Sequence, residues 1–340
     1  MPDYRSSSNP TKPTVVHANI NTMRVIQIEE WHRYPFAQNG CFGVSCNKKL
    51  VIGGGSYSDG QSTMKVFEES DSSSHQFQPI MPLNSGRTGA SAAYSKWHQK
   101  LIIAGGTSTY LDDYTLYDLR NVELLDMNPS LPGSSFLSTN RWIVCKDKIP
   151  GIFGANVEVF SMKDKIILAD VEYNKVYEGR MVTNPYKNTQ KWNPVPSMSI
   201  LWAALPSMLC PRYNHTMIVL GDKLLLSIGG HSISDDKCAK TCEYFSYESN
   251  TWNIGPELPF CLQQAQILPL EEEDGEESLL RCIIIGGIRD HNISPVLSLF
   301  DLGKGDIVNF KGTLDKSLAV KCTNTKHLEN GPNRNVAILM

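Results

Sequence analysis

The chain of 340 residues contains no apolar run that approaches the roughly 18 residues a membrane-spanning helix needs. Its first residues, MPDYRSSSNPTKPTVV, lack the apolar stretch of a secretory signal. Charge of one sign is missing too: 32 Lys and Arg stand against 35 Asp and Glu, a formal net charge of −3. A surface that coats nucleic acid needs clustered cations, so neither nucleic acid nor membrane is an expected partner. The period of amphipathic helices is almost absent. So is a disulfide framework: the nine cysteines are odd in number, and a chain this long buries a core without covalent staples. Two glycosylation sequons, Asn214-His215-Thr216 and Asn292-Ile293-Ser294, mean little without a secretory signal. These absences leave a soluble, cytoplasmic protein as the expectation. With no coiled-coil segment, a monomer is expected as well.

Short β-runs punctuated by Gly, Pro and Asn fill the chain instead. Four segments share one shape, an apolar run ending in a glycine doublet. They are Leu50-Val51-Ile52-Gly53-Gly54-Gly55, Leu101-Ile102-Ile103-Ala104-Gly105-Gly106, Leu225-Leu226-Ser227-Ile228-Gly229-Gly230 and Cys282-Ile283-Ile284-Ile285-Gly286-Gly287. The last glycines fall at 55, 106, 230 and 287, so the middle interval spans two repeats. Near its centre, Ile166-Ile167-Leu168-Ala169-Asp170 has the same run with Ala-Asp in place of the doublet. Each unit reads as four strands. His215–Leu220, a Gly221-Asp222 turn and the doublet run form a hairpin; Glu243–Tyr247 is a third strand; Thr251-Trp252 opens the fourth, before the Pro-rich exit Gly255–Pro259.

A glycine doublet, then a Tyr, then a Trp five or six residues further on resembles the kelch repeat, with about 50 residues per propeller blade. The resemblance covers residues 14–340 and is fullest in the blade ending at Trp252. The blade around Asp170 departs at the doublet, and the blades near Phe77 and Val122–Leu125 lack the Trp. It implies an all-β, six-bladed kelch-type propeller: residues 1–13 a tail, residues 14–340 a single domain. Two β-runs left over at the start, Thr14–Ile20 and Met23–Ile28, would supply outer strands of one blade. Two at the end, Lys316–Cys322 and Asn335–Met340, would supply its inner strands and close the ring.

Several stretches invite a sharper chemistry. Glu271–Glu277 holds six carboxylates in seven residues, between the first and second strands of the fifth blade; it reads as a solvated loop, with a basic partner as the alternative. His231, Cys238 and Cys242 form H-x6-C-x3-C, but no second cluster completes a zinc set. Gly53–Gly55 lacks the Lys-Ser/Thr of a phosphate loop, and no nucleophile elbow occurs. Ser317–Cys322 resembles the start of an elongin-binding box, yet ring closure needs those residues as a strand. No cofactor, no metal and no catalysis are expected.

The rim remains. Kelch modules of ligase adaptors bind peptides on the face made by two sets of loops. Carried onto this chain, the loops after the doublets offer Tyr57, Tyr110, Tyr173, His231, Arg289 and His291. The loops leading into each blade offer Asn39, Arg87, Arg141, Arg212 and Tyr213. Arginines fork to carboxylates and tyrosines give rigid contact area, which suits a polar or acidic peptide. Arg87 and Arg212, which follow Pro-rich exits, have a second reading as ties between loops. The resemblance thus implies a protein- or peptide-binding module, as a substrate-recognition subunit of a ubiquitin ligase or similar assembly. An actin-associated scaffold and a small-molecule enzyme in the central pocket are the alternatives.

Overall fold

The computed structural model describes residues 14–19, 24–30, 39–47, 49–56, 62–71, 76–109, 116–127, 142–151 and 157–170. Further on it describes 174–184, 197–234, 237, 239–263, 265–269, 281–285, 287–289, 292–293, 297–304, 306–309, 325–326, 328–330 and 335–339. Every regular element among the described residues is a strand.

The chain opens with β1 (Thr14–Asn19) and β2 (Arg24–Glu30). Blade 1 holds β3 (Asn39–Cys46), β4 (Lys49–Ser56), β5 (Val66–Asp71) and β6 (Gln76–Pro79). Blade 2 holds β7 (Ser91–Ser95) and β8 (Lys100–Ala104), then a small hairpin of β9 (Thr107–Thr109) and β10 (Leu116–Asp118), then β11 (Val122–Asp126) and β12 (Ile143–Val144). Blade 3 is β13 (Val157–Met162), β14 (Lys165–Asp170), β15 (Lys175–Asn184) and β16 (Ser197–Ala204). A rim strand, β17 (Arg212–Tyr213), leads into blade 4: β18 (Thr216–Leu220), β19 (Leu224–Ile228), the rim strand β20 (His231–Ser232), β21 (Cys242–Ser246) and β22 (Thr251–Ile254). Next, β23 (Leu262–Gln263) leads into blade 5: β24 (Gln266–Pro269), β25 (Arg281–Ile285), rim strands β26 (Ile288–Arg289) and β27 (Asn292–Ile293), β28 (Leu297–Asp301) and β29 (Asp306–Asn309). The last strands are β30 (Thr325–Lys326), β31 (Leu328–Asn330) and β32 (Asn335–Leu339).

Six blades were expected from the sequence; the described residues show five, each an antiparallel four-stranded meander, those of blades 2, 4 and 5 passing over the small rim strands. Their innermost strands, β3, β7, β13, β18 and β24, are neighbours in that order, which is a β-propeller arrangement. The two ends of the chain meet in a further sheet of order β2-β1-β32-β31, with Val15–Asn19 opposite Asn335–Leu339. One residue before β31, β30 pairs in parallel with β3 through Gly43–Thr325 and Val44–Lys326. The run Lys316–Cys322 lies outside the described residues.

Second strands such as Leu101–Ala104 and Ile166–Asp170 are buried along their whole length, because a blade has neighbours on both faces. The apolar core accordingly falls between blades. Phe42, Val51 and Val66 of blade 1 pack with Leu101, Ile103 and Trp142 of blade 2; Met217, Phe245 and Trp252 of blade 4 pack with Phe160, Ile167 and Val176 of blade 3. Near the axis, a side chain from each of blades 2, 3 and 4 stitches its first strand to the next blade. Ser91 Oγ accepts from the Val159 N–H at 3.0 Å, Glu158 Oε2 accepts from the Met217 N–H at 3.0 Å, and Thr216 Oγ1 donates to the Ala265 carbonyl at 2.6 Å. These bonds give partners to edge groups that the inner strands would otherwise leave unpaired.

The doublet end of the blades is the upper end. Gly54 (φ +65°) and Gly229 (φ +64°) adopt left-handed backbone that an L side chain strains to reach. A Cβ on Gly54 would stand 2.7 Å from the Arg87 carbonyl, and one on Gly229 would overlap the Leu262 carbonyl. The following glycines donate to those same carbonyls, Gly55 at 2.8 Å and Gly230 at 2.7 Å, so each doublet is sewn to the next blade. At the lower end, short turns join first and second strands, with Asn47, Gln99, Lys163 and Asp222 at φ near +50°.

Candidate functional site

The upper rim is built from two-stranded ribbons. In blade 4, β17 pairs with β20, placing Arg212 opposite Ser232 and Tyr213 opposite His231. In blade 5, β23 pairs with β26, and in blade 2 the bridge Thr88–Thr107 does the same job. The leading loop of each of these blades is thereby fixed to the loop after its doublet.

Arg87 and Arg212, expected to face a partner, are fully buried, and that expectation is corrected. Arg212 Nη2 lies 2.5 Å from Glu243 Oε1; Nη1 donates to the carbonyls of Gly229 (3.0 Å) and Thr241 (2.7 Å), and Nε to that of Cys210 (3.0 Å). Arg87 repeats this, with Nη2 2.5 Å from Glu123 Oε1 and Nη1 donating to the Gly105 carbonyl at 3.0 Å. The carboxylates also accept backbone N–H groups of the Pro-rich exits: Asn84 on Glu123 at 2.8 Å, and Leu209 and Cys210 on Glu243 at 2.7 and 2.9 Å. Arginine is chosen here because its planar fork satisfies several carbonyls and a carboxylate at once in a buried place. These arginines tie loops together.

Blade 5 lacks both partners together. Ser298 stands opposite Ile284 on the third strand, as Glu123 stands opposite Ile103 and Glu243 opposite Ser227. Leu262, whose carbonyl takes the Gly230 N–H as that of Arg87 takes the Gly55 N–H, fills the arginine's place. Losing one charge without the other would leave a buried ion unpaired, so the pair is replaced as a unit.

Of the other expected rim residues, Tyr213 and His231 are brought together. Their rings stack with centroids 5.0 Å apart and planes at 27°, partly buried on the blade 4 ribbon. Leu209 and Ile233, 55% and 53% exposed, flank them where the Ile233 N–H bonds the Pro211 carbonyl at 2.9 Å. The sequence reading did not single out these two aliphatic residues. Asn39 starts β3 opposite Ser56, and Arg289 sits in β26 opposite Leu262. Tyr57, Tyr110, Arg141, Tyr173 and His291 lie outside the described residues, as do Glu271–Glu277 and Ser317–Cys322.

His215 lies against Gly230, just beneath the ribbon. It is buried, and neither ring nitrogen reaches a partner at hydrogen-bonding distance. Burial holds its pKa down to about 3; the charge of Arg212 pushes the same way, and a weak backbone contact from Arg212 opposes it. The imidazole is neutral at ordinary pH. Of the H-x6-C-x3-C residues, Cys238 lies outside the described residues. Cys242 donates its thiol to the Pro256 carbonyl at 2.8 Å, and burial raises its pKa to about 12, so it is a poor thiolate ligand. Among the described residues no group of three or more His, Cys, Asp or Glu could hold a metal ion.

Trp252 and Trp142 serve the core. Trp252 Nε1 donates to the Pro206 carbonyl at 2.8 Å while its ring packs 5.5 Å from Phe245. Blade 2, read from sequence as lacking this residue, has it in Trp142, whose Nε1 donates to the Met81 carbonyl at 2.8 Å. Trp192 lies outside the described residues.

No family model and no curated protein matches the chain. A solved structure does: that of YjhT, superimposing with a TM-score of 0.59 at 13% identity over 83% of this chain and 87% of that one. The chain shares the propeller fold with it. No helix among the described residues is long and apolar enough to cross a membrane.

Proposed function

We propose that this propeller is a kelch-type, non-enzymatic protein-binding module whose working surface is the upper rim. The observation that carries the reading is the blade 4 ribbon, where the Tyr213–His231 stack and two exposed aliphatic side chains sit on backbone clamped from beneath by Arg212 and Glu243. Rigid aromatic groups on fixed backbone lose little entropy on binding, and such residues dominate interface energies. In the same reading, the buried Arg87, Arg212 and His215 are structural groups. The ligand is a polar or acidic peptide, held by rim groups other than those two arginines.

We further propose that the sheet joining the chain ends is a sixth blade. Its support is the pairing of β1 with β32, together with the parallel contact of β30 with β3 of blade 1. The assembly proposed for the module is a cytoplasmic ubiquitin ligase in which it recognises substrate; the kelch resemblance supports this. Affinity purification with mass spectrometry tests both levels, comparing wild type with a folded variant carrying Tyr213→Ala, His231→Ala and Ile233→Ser. Loss of partners in the variant supports the rim, and ligase components among them support the assembly. A partner set unchanged by the variant refutes rim binding, and recovery of actin without ligase components replaces the ligase with a cytoskeletal scaffold.

A further inference from the structure

We infer that the outer edge of blade 3 pairs with the same edge of a second copy of this chain, in an antiparallel strand contact of two-fold symmetry. A propeller leaves the outer edge of each blade in solvent, and folds keep such edges short or break them with charge and proline. Four blades follow that rule. Their outer strands β6, β12, β22 and β29 have two to four residues, β6 ends in Pro79 and β29 starts with Asp306. Blade 3 departs from it: β16, Ser197–Ala204, runs for 8 residues with no charge and no proline.

The lower half of β16 is covered by the segment that follows β12. The Met198 carbonyl accepts the Lys146 N–H at 3.1 Å, and the Ile200 N–H donates to Asp147 Oδ2 at 3.1 Å. Alternate residues of a strand send their N–H and C=O to the same side, so those of Trp202 and Ala204 point outward too. These groups and the Ile200 carbonyl meet no partner among the described residues. The upper half stands in water, with Leu201 63% exposed and Ala203 and Ala204 exposed beside it. It is also fixed. Every residue of β16 pairs with β15, and the Trp202 indole lies so close over Gly179 that a Cβ there would stand 2.6 Å from it.

Free N–H and C=O groups on a fixed, extended backbone accept another strand. The side chains say which one. In antiparallel pairing centred on Trp202, this residue exchanges both backbone bonds with Trp202 of the second copy. Each Ala204 N–H then donates to the Ile200 carbonyl opposite. On one face Leu201 stands across from Ala203 of the second copy, and Ala203 across from its Leu201. Large thus meets small, and no like charges are opposed. A strand that supplies its own complement in this way suits an isologous contact. Because β16 runs from the lower to the upper end, the two upper rims point in opposite directions. The contact leaves both of them open, so it stands independently of rim binding.

Sedimentation equilibrium of the full chain tests the contact, from low micromolar concentration to about 1 mM, the range a small interface calls for. Wild type should pass from monomer to dimer. Ala204→Pro removes an outward N–H at an edge position that tolerates proline. It should weaken the dimer about tenfold or more while the thermal melt stays unchanged. Leu201→Lys and Ala203→Glu should each weaken it about tenfold, because symmetry counts every change twice. Leu201→Lys combined with Ala203→Glu should recover the dimer, since each introduced cation then faces an introduced carboxylate of the other copy. A wild type that stays monomeric, a dimer that every variant leaves intact, or a double variant no better than the single ones overturns the proposal. A monomer whose Ile200–Ala204 amides gain hydrogen-exchange protection only with the partner recovered by affinity purification overturns it in favour of strand addition by a different protein.

Discussion

Replacing Arg212 by leucine, the residue blade 5 carries in its place, should be among the most damaging single changes in the described chain. It removes every bond of a fully buried guanidinium, to Cys210, Gly229, Thr241 and Glu243, and leaves the Glu243 carboxylate buried without its counter-charge. Breaking one side of a buried pair costs about 3–5 kcal/mol, a large part of a typical domain stability of roughly 5–15 kcal/mol. Glu243→Ser should cost a similar amount, because it strands the guanidinium and takes the acceptor from the amides of Leu209 and Cys210. The double variant should be far better than the sum. No charge is then left unpaired, and the groups that lack former partners are the two amides, the carbonyls of Cys210, Gly229 and Thr241, and the Thr241 hydroxyl. The coupling energy should reach about 2–3 kcal/mol in favour of the pair. Urea unfolding of the four proteins in the cycle measures it. Effects that add to within about 0.5 kcal/mol would refute the claim that the pair acts as a unit.

Three further outcomes follow from the same geometry. His215→Ala, the residue found against the last glycine in blades 2 and 5, should flatten the acid dependence of stability. The folded pKa of about 3 lies below the ordinary 6.5, so the unfolded chain binds the proton first. Stability is then complete above pH 6.5 and falls toward pH 3, by about 2 kcal/mol at pH 5; an unchanged slope in thermal melts taken from pH 8 to pH 5 would sink the assignment. Trp142→Ala and Trp252→Ala should each cost about 3–5 kcal/mol through the cavity they leave, and the indole each removes should contribute blue-shifted emission shielded from iodide. Deleting residues 1–30 should abolish cooperative melting by removing β1 and β2 from the end sheet, whereas deleting residues 1–12 should leave the melt unchanged; an equally stable long deletion would exclude closure by the chain ends.

The blades were legible in the sequence because each second strand is apolar on both faces and four of the five end in glycines, a pattern that local chemistry imposes. Trp252 was legible for the same reason, since its spacing from Tyr247 is uninterrupted. Trp142 was missed: residues 128–141 intervene after β11 and break the spacing, although the indole docks on the exit of blade 1 as Trp252 docks on that of blade 3. The arginines were misplaced because type and position do not reveal depth. A signal was present: Glu123 and Glu243 each take the second position of a third strand whose neighbours are apolar, and a carboxylate there needs a buried cation. Leu209 and Ile233 left no trace in a one-dimensional pattern, because exposure arises from which loops the fold brings together. The blade count exceeded the five meanders that the described residues form, since the expected sixth relied on pairing between chain ends.

Hydrogen exchange of the full chain, alone and in complex with the partner recovered by affinity purification, tests rim binding most directly. The account predicts slowed exchange at Leu209–Tyr213 and His231–Ser234, the two sides of the blade 4 ribbon. Unchanged exchange at both stretches in a stable complex would contradict it.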